Sequence, residues 1–577
     1  MKLRDSVRCS WKNVMLIFLA VVFCTAGICH AQTSSGADGR MSIQLPGGRN
    51  RRGGYFGRIR PEILAGVENG SPDSIRQAME MLRKNVSEYT ENEKVLTAVS
   101  AEIMRIVWPS ARVTWDVFEL SEDTPYMGAI NSARNGIYDS STGNVDFLTT
   151  VLPSLVLVAS PSARADYYEL SENALRKALA IRPGSVLAEY LFGILCERQQ
   201  RWSEAQEHFS AAYSSAPGCI EISVAFARML TRTGDYSGAE RILSSLPADG
   251  PDAGTVLRQR AFTAFSAGDY SAAEEYVARV LQQSPNDLEF VLFRAKILIR
   301  KKDYIHAVSL LDVYSRYDSD SLEYLLLRAE VQLDWSRNYT AAASTVERIL
   351  RLYPDSTDAM LLAARISSAT DSPVGGKYAD ELAAEVLEKR PGDSQAMEYA
   401  LSGFMQRGNW QDAYKISSAL VRTDPVQPGV IMSHVTVCVN LGLMKEALDF
   451  ASAMHRKFPD DETATMAYVL ALSSAQKRDA AVSELNSMLA AGQPTAVRSY
   501  IYYRRSFLQY SDDYALSDLR SSLNEKINVD ALFRLYEIYF ERKDYYKAQY
   551  YLRQVIAMKP NDTSVKKLNE ALTLLMK

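Results

Sequence analysis

An alanine that returns every 34 residues constrains this chain more than any other feature. Trp202-Ser-Glu-Ala205, Tyr236-Ser-Gly-Ala239, Tyr270-Ser-Ala-Ala273 and Tyr304-Ile-His-Ala307 repeat one four-residue figure at that spacing. The alanine continues at Ala342, Ala379, Ala413, Ala447, Ala481, Ala515 and Ala548, in steps of 35, 37, 34, 34, 34, 34 and 33. A proline keeps the same beat twelve positions later, at Pro217, Pro251, Pro285, Pro354, Pro391, Pro425, Pro459 and Pro560. Pro183 opens that series, with Ser171 in the alanine slot, and Gly193, Ala227, Ala261 and Ala295 stand twelve positions before their alanines. A fixed period of this length is the mark of stacked supersecondary units, each too small to bury its apolar face alone.

Between the beats the apolar residues recur with the helical period of 3.6. Val186 to Cys196 reads as one amphipathic helix and Ser203 to Tyr213 as the next. The small residues, Gly193 with Ala205 and their equivalents, are expected where the two antiparallel helices cross, because only a small side chain lets backbones approach. The turn carries Gly-Asp-Tyr at 234–236 and 268–270, and Gly-Asn-Trp at 408–410. Glycine there predicts a left-handed cap on the first helix, the aromatic a wedge over the turn, and the proline the stop of the second helix.

These residues resemble the tetratricopeptide repeat. The family's small residue, aromatic, Ala, aromatic or Leu, Ala and Pro fall in the first full unit on Gly193, Trp202, Ala205, Phe209, Ala212 and Pro217. The resemblance implies an all-α chain, a right-handed superhelical solenoid of about twelve helix-turn-helix repeats with helical caps. The expected domains are a signal peptide (1–31), an Arg/Gly-rich disordered linker (32–70), an N-terminal helical cap region (71–150), the repeat solenoid (151–562) and a C-terminal capping helix (563–577). The units around 320–391 and 490–527 depart most from the pattern, the first through the insertion Asp371-Ser-Pro-Val-Gly-Gly-Lys-Tyr378. In the cap, Ile75, Ala78, Met79 and Leu82 are expected on one helical face, and the apolar run Val151 to Ala159 as a buried first helix. Residues 108–147, with Trp108, Trp115 and Tyr126, read as irregular chain.

The N-terminus reads as an address. Lys2, Arg4, Arg8 and Lys12 precede the uncharged run Val14 to Ile28, and Cys29-His30-Ala31 offers a cleavage site after Ala31. That layout predicts a secretory signal peptide, hence an exported, periplasmic protein. The run of 15 residues is shorter than the roughly 20 that span a bilayer. An uncleaved anchor or a lipidated Cys29 are the alternatives. Residues 33–60 hold six arginines against Asp38 and seven glycines, a net +5, whereas 61–577 carries −12 and the whole chain −4. The segment cannot bury enough to offset chain entropy. It reads as a solvated linker or as a tether to an anionic membrane or cell-wall surface. The overall acidity argues against a nucleic-acid partner.

No catalytic or metal pattern emerges. Past residue 31 the histidines are His208, His306, His434 and His455, none in a His-x-x-x-His pair or beside Cys-x-x-Cys, and no phosphate loop or Gly-x-Ser-x-Gly elbow occurs. Cys196, Cys219 and Cys438 read as small buried hydrophobes. The sequence therefore predicts a non-enzymatic protein with no cofactor and no metal.

The resemblance implies a concave face lined by first helices that binds peptides or helices of other proteins. With Gly193 counted as position 8 of its unit, inward positions 5, 6, 9, 12 and 13 fall on Arg228, Arg232, Arg258, Phe262, Phe265, Phe293, Lys296 and Arg300. This is the candidate peptide-binding groove: cations along one wall with aromatics between, suited to an acidic, partly apolar peptide whose carboxylates meet Arg forks. Arg365 is a further case, and Glu330 and Asp334 turn the wall acidic. Met432, Met466, Tyr500, Phe507, Phe533 and Phe540 suggest a second, more apolar stretch. The expected function is an exported scaffold that binds other envelope proteins or peptides in this groove. The alternative is a periplasmic carrier or transporter accessory holding a small molecule in the groove or N-terminal cap.

Overall fold

The computed structural model describes residues 60–83, 100–111 apart from 102, 151–159 and 165–576, excepting positions 248–249, 251, 424–425, 476 and 560–562. The signal peptide, most of the linker, and Trp115 and Tyr126 of the irregular stretch lie outside the described residues. Among the described residues the chain is helical, and its only β-type pairing is a single bridge between Val374 and Lys377. The helices fall into two units, one ending at Asp303 and the other starting at Tyr304.

Each repeat is a hairpin of two helices. In the first unit Val186–Arg198 pairs with Trp202–Ser215, Ile220–Thr233 with Tyr236–Ser244, and Ala253–Ser266 with Tyr270–Gln283; Leu288–Arg300 follows. In the second unit hairpins recur from Leu322–Asp334 with Tyr339–Leu352 through Val529–Glu541 with Tyr545–Met558, and Thr563–Leu575 closes the series. The turn residues act as their chemistry dictates. Gly234, Gly268 and Gly408 have φ of +88°, +81° and +71°, a conformation that costs any side chain with a Cβ. After Gly234 and Gly268 the next residue caps the second helix with its side chain: Asp235 accepts from the Gly238 amide at 2.8 Å, and Asp269 from that of Ala272 at 3.0 Å. The aromatic is then the first helical residue. Pro217, Pro285, Pro354, Pro391 and Pro459 each lie two residues past a second helix; Pro251, Pro425 and Pro560 fall outside the described residues.

The phased small residues are buried at the helix crossings. Ala205, Ala227, Ala239, Ala261, Ala273, Ala342, Ala413, Ala447 and Ala548 are all fully buried. Gly193 faces the ring of Phe209, so closely that a Cβ there would stand 2.6 Å from two ring carbons. The insertion at 371–378 folds back on itself through the Val374–Lys377 bridge and buries Val374 against the Leu382 cluster.

The N-terminal cap begins earlier than its expected start at residue 71. Pro61–Asn69 is a helix with proline in its first turn and Gly70 closing it in the left-handed region at φ +74°. It packs on Pro72–Arg83, whose Ile75, Ala78, Met79 and Leu82 are buried as expected. Trp108, fully buried, donates its indole N–H to the Gly70 carbonyl at 2.9 Å and lies 4.8 Å from the Tyr190 ring. Ser110 gives its amide and hydroxyl to the Glu221 carboxylate, both at 2.7 Å. The cap thus hides the first apolar face of the stack, as an end unit must. Val151 to Ala159 is a 3-10 turn running into one helical turn, with Val151, Leu155 and Leu157 buried.

Candidate functional site

The stacking geometry sets where each candidate groove residue goes. First helices of successive repeats lie side by side, so residues about 31 positions apart meet across that interface. Arg228 is bidentate to Glu197 of the preceding repeat, with Nε–Oε1 and Nη2–Oε2 both at 2.6 Å. In the second unit the same spacing joins Arg365 to Asp334 at 2.5 Å and Arg504 to Ser473 at 2.8 Å. Arg258 instead pairs with Asp287, the N-cap of the next first helix, and lies 4.4 Å from the Phe290 ring centre. Arg232 lies over Trp202 at 3.5 Å and Lys296 over Phe265 at 5.7 Å. Arg300 is exposed at the end of its helix. The expected row of cations is therefore present, but Arg228 and Arg258 are engaged by acids of adjoining repeats rather than free to await a ligand.

The aromatics cluster. Phe262 lies 4.5 Å from Phe293 and 5.7 Å from Phe290, and Phe265 lies 5.3 Å from Phe293. Phe262 presents 37% of its surface to solvent and Phe265 is half-buried. Phe293 is 5% exposed and supports the other two from beneath. It occupies position 6, which in this stack faces the core: Leu191, Ala225 and Gln259 at that position are buried as well. The expected groove lining thus reduces to Phe262 and Phe265, with Lys296 over the Phe265 ring and Arg258 over the neighbouring Phe290.

The C-terminal apolar stretch forms a second aromatic run. Tyr500, Tyr503 and Phe507 follow one another at 5.9 and 5.3 Å, and Phe533, Tyr536 and Phe540 at 5.3 and 5.8 Å. Phe507 is 44% exposed, with Arg504 and Arg534 over its ring at 5.2 and 5.0 Å.

Among the described residues Cys196, Cys219 and Cys438 are free and buried. Burial pushes the Cys196 thiol up to about 11 and the Cys438 thiol up to about 12, and raises Cys219 as well. None is a ready nucleophile at neutral pH. One grouping escaped the sequence reading: His434, Cys438 and Glu446 bring three ligating atoms within 4.8 Å of one another. The legible signal was His434-x-x-x-Cys438, one helical turn apart on one face.

Residues 198–258 and 264–331 match the model of the tetratricopeptide repeat family. Those residues carry tetratricopeptide repeats. No curated protein matches its sequence. Solved tetratricopeptide-like structures superpose on parts of it. PilF of Pseudomonas aeruginosa is 20% identical, aligns with 38% of this chain and 97% of its own, and has a TM-score of 0.31. PilW, a type IV pilus biogenesis factor, is 18% identical over 37% of this chain and 98% of its own, with a TM-score of 0.33. A tetratricopeptide repeat protein from Parabacteroides merdae is 13% identical over 48% of this chain and 95% of its own, with a TM-score of 0.28. Among the described residues no helix is long and apolar enough to cross a membrane.

Proposed function

We propose that this protein is a non-enzymatic, exported scaffold that holds a polypeptide partner along the first-helix face of its N-terminal unit and supports assembly of a cell-envelope complex. The observation that carries this reading is the exposed Phe262, backed by Phe293 and Phe290, with Arg258 over the Phe290 ring and Lys296 over that of Phe265. A rigid aromatic anchor on a preformed surface, ringed by charge, is the composition of a protein-binding hot spot. The matching partner is an extended or helical peptide that sets an apolar side chain on Phe262 and carboxylates near the arginines. Export rests on the charge and apolar pattern of residues 1–31.

The test is crosslinking and affinity capture from intact envelopes with wild type, Phe262→Ala, and the swapped pair Glu197→Arg with Arg228→Glu. The swap retains the inter-repeat ion pair but reverses its pattern. A stoichiometric partner lost in Phe262→Ala and weakened in the swap supports the assignment. A partner retained at full strength in both variants refutes it, and co-purification of a small molecule with no protein favours the carrier alternative.

A further inference from the structure

The core of the second unit contains a polar nest in which a histidine and a cysteine face one another. His434 and Cys438 lie one turn apart on the helix Pro428–Asn440, with 3% and 0% of their surfaces exposed. Glu446 faces them from the next helix, Met444–Lys457, at the exposed rim. The His434 Nε2 and Cys438 Sγ atoms are 3.7 Å apart. Around a tetrahedral ion with metal–nitrogen and metal–sulfur bonds of about 2.0 and 2.3 Å, that edge is about 3.5 Å. The two buried ligands thus already stand at the separation an ion between them demands. The carboxylate is within 4.8 Å and, being exposed, closes the remaining gap by a side-chain rotation.

The far side of the imidazole is fixed as well. Ser417, fully buried on the preceding second helix, places its hydroxyl oxygen 2.9 Å from His434 Nδ1. That hydroxyl also lies 3.3 Å from the Tyr414 carbonyl, and in the tautomer with hydrogen on Nδ1 it donates there while its oxygen accepts the Nδ1 hydrogen. In that tautomer Nε2 directs its lone pair toward Cys438. The ring is held between Tyr414, stacked at 5.9 Å, and Phe450, edge-on at 4.8 Å. Tyr414 also donates its phenol to Glu446 at 2.7 Å. Outer partners that fix the tautomer and aim of each ligand are what metal centres need beyond their first shell. An entry path exists: a cavity of about 740 Å³ is lined by His434, Glu446, Tyr414, Arg422 and Asp449.

We propose that His434 Nε2, Cys438 Sγ and a Glu446 carboxylate oxygen form a three-ligand site for a divalent transition metal of the zinc class, its fourth position open to water in the cavity. The mixed nitrogen, sulfur and oxygen set suits a borderline-soft ion and excludes magnesium or calcium, which take oxygen ligands. As the metal–sulfur bond forms, the Cys438 thiol releases its proton to solvent, so uptake of one ion liberates one proton from this side chain. Ser417 is a positioning residue that acts through His434.

The test uses the full chain, reduced and stripped with chelator, titrated with Co²⁺ as the optical probe and with Zn²⁺ in competition. Wild type is expected to take one Co²⁺ with thiolate-to-cobalt charge transfer and four-coordinate d–d absorption, both abolished by Zn²⁺. Cys438→Ala is expected to lose these bands and the proton release while keeping its helical circular dichroism, because alanine is already the commonest buried residue of this stack. Ser417→Ala is expected to keep the stoichiometry and weaken Zn²⁺ by about 10–100-fold. Absence of the bands in wild type, or identical bands in Cys438→Ala, overturns the proposal.

Discussion

Replacing Gly193 with alanine is expected to destabilise the first full repeat, although in an isolated helix the same change is favourable by about 1 kcal/mol. Gly193 lies inside the helix Val186–Arg198. A Cβ there meets Cδ1 and Cε1 of Phe209 at 2.6 Å and Cγ at 3.0 Å, closer than carbon atoms approach. The ring has little room to retreat, since Phe209 is fully buried and lies against Tyr190 at 5.8 Å. Overpacking a close-packed core costs about 1–3 kcal/mol. With the ring pinned, the upper part of that range applies, and the propensity gain leaves a net loss of about 1–2 kcal/mol. Neighbouring repeats show the relief: sixteen residues on from Ala227 stands Leu243, and from Ala261 stands Val277, each pair sharing one core cluster. Glycine occurs in this series where the partner is phenylalanine. Phe209→Leu alone should cost about 1 kcal/mol through lost burial, and Gly193→Ala with Phe209→Leu should cost less than the sum by about 1–2 kcal/mol of coupling. A long repeat array does not unfold as one two-state unit. The assay is therefore native-state hydrogen exchange on peptides covering 186–215, in a double-mutant cycle. Unchanged protection in Gly193→Ala, or strict additivity in the double variant, refutes the reasoning.

Asp518, with only 6% of its side chain exposed, accepts from Arg505 and Gln509; Asp518→Ala strands Arg505 and should cost about 3 kcal/mol, read as lost exchange protection at 495–525. Lys302 adopts φ +62° where the equivalent turns use Gly234 and Gly268, so Lys302→Gly should stabilise that turn by about 1 kcal/mol, read as added exchange protection at 288–303. Burial raises the Glu172 carboxyl, but hydrogen bonds and charge from Arg176 and Arg201 outweigh it and hold the group below its ordinary 4.5. A depressed folded value means stabilisation present above 4.5 and lost as pH falls below it. Thermal melts from pH 6 to pH 3 should show a flatter acid limb in Glu172→Gln, and an unchanged limb counts against the assignment.

The parts of the fold that were legible are those in which a residue acts on its own backbone. The glycine in the left-handed turn, the proline past the second helix and the buried alanine each carry their reason within the repeat. Pairings between repeats were not legible, because they depend on stacking register. Arg228 reads as a free groove cation until Glu197 is known to lie beside it, 31 residues earlier. Phe293 reads as lining until position 6 is seen to face inward. The helix Pro61–Asn69 was hidden by its neighbourhood: the Arg/Gly-rich segment ends at Arg60, and Pro61 and Gly70 are the start and stop signals just beyond it. The grouping of His434, Cys438 and Glu446 was not read from the sequence, because Glu446 joins the helical pair only through the turn between two helices.

The pairing of the groove cations decides what kind of recognition this face can support. Arg228 is 44% exposed and Glu197 21%, so the pair is partly solvated and contributes on the order of 0–1 kcal/mol. A partner carboxylate that takes Arg228 must release Glu197, exchanging one such pair for another, with a net gain near zero. The same holds for Arg258 and Asp287. In the proposed binding site charge would therefore set orientation and reject basic sequences, while affinity would come from apolar area laid on Phe262 and Phe265. Binding through free cations would weaken steeply with added salt; binding through the phenylalanines with exchanged ion pairs would be nearly indifferent to it. A partner whose Kd changes little between low and physiological salt, yet rises sharply on Phe262→Ala, is what this geometry requires.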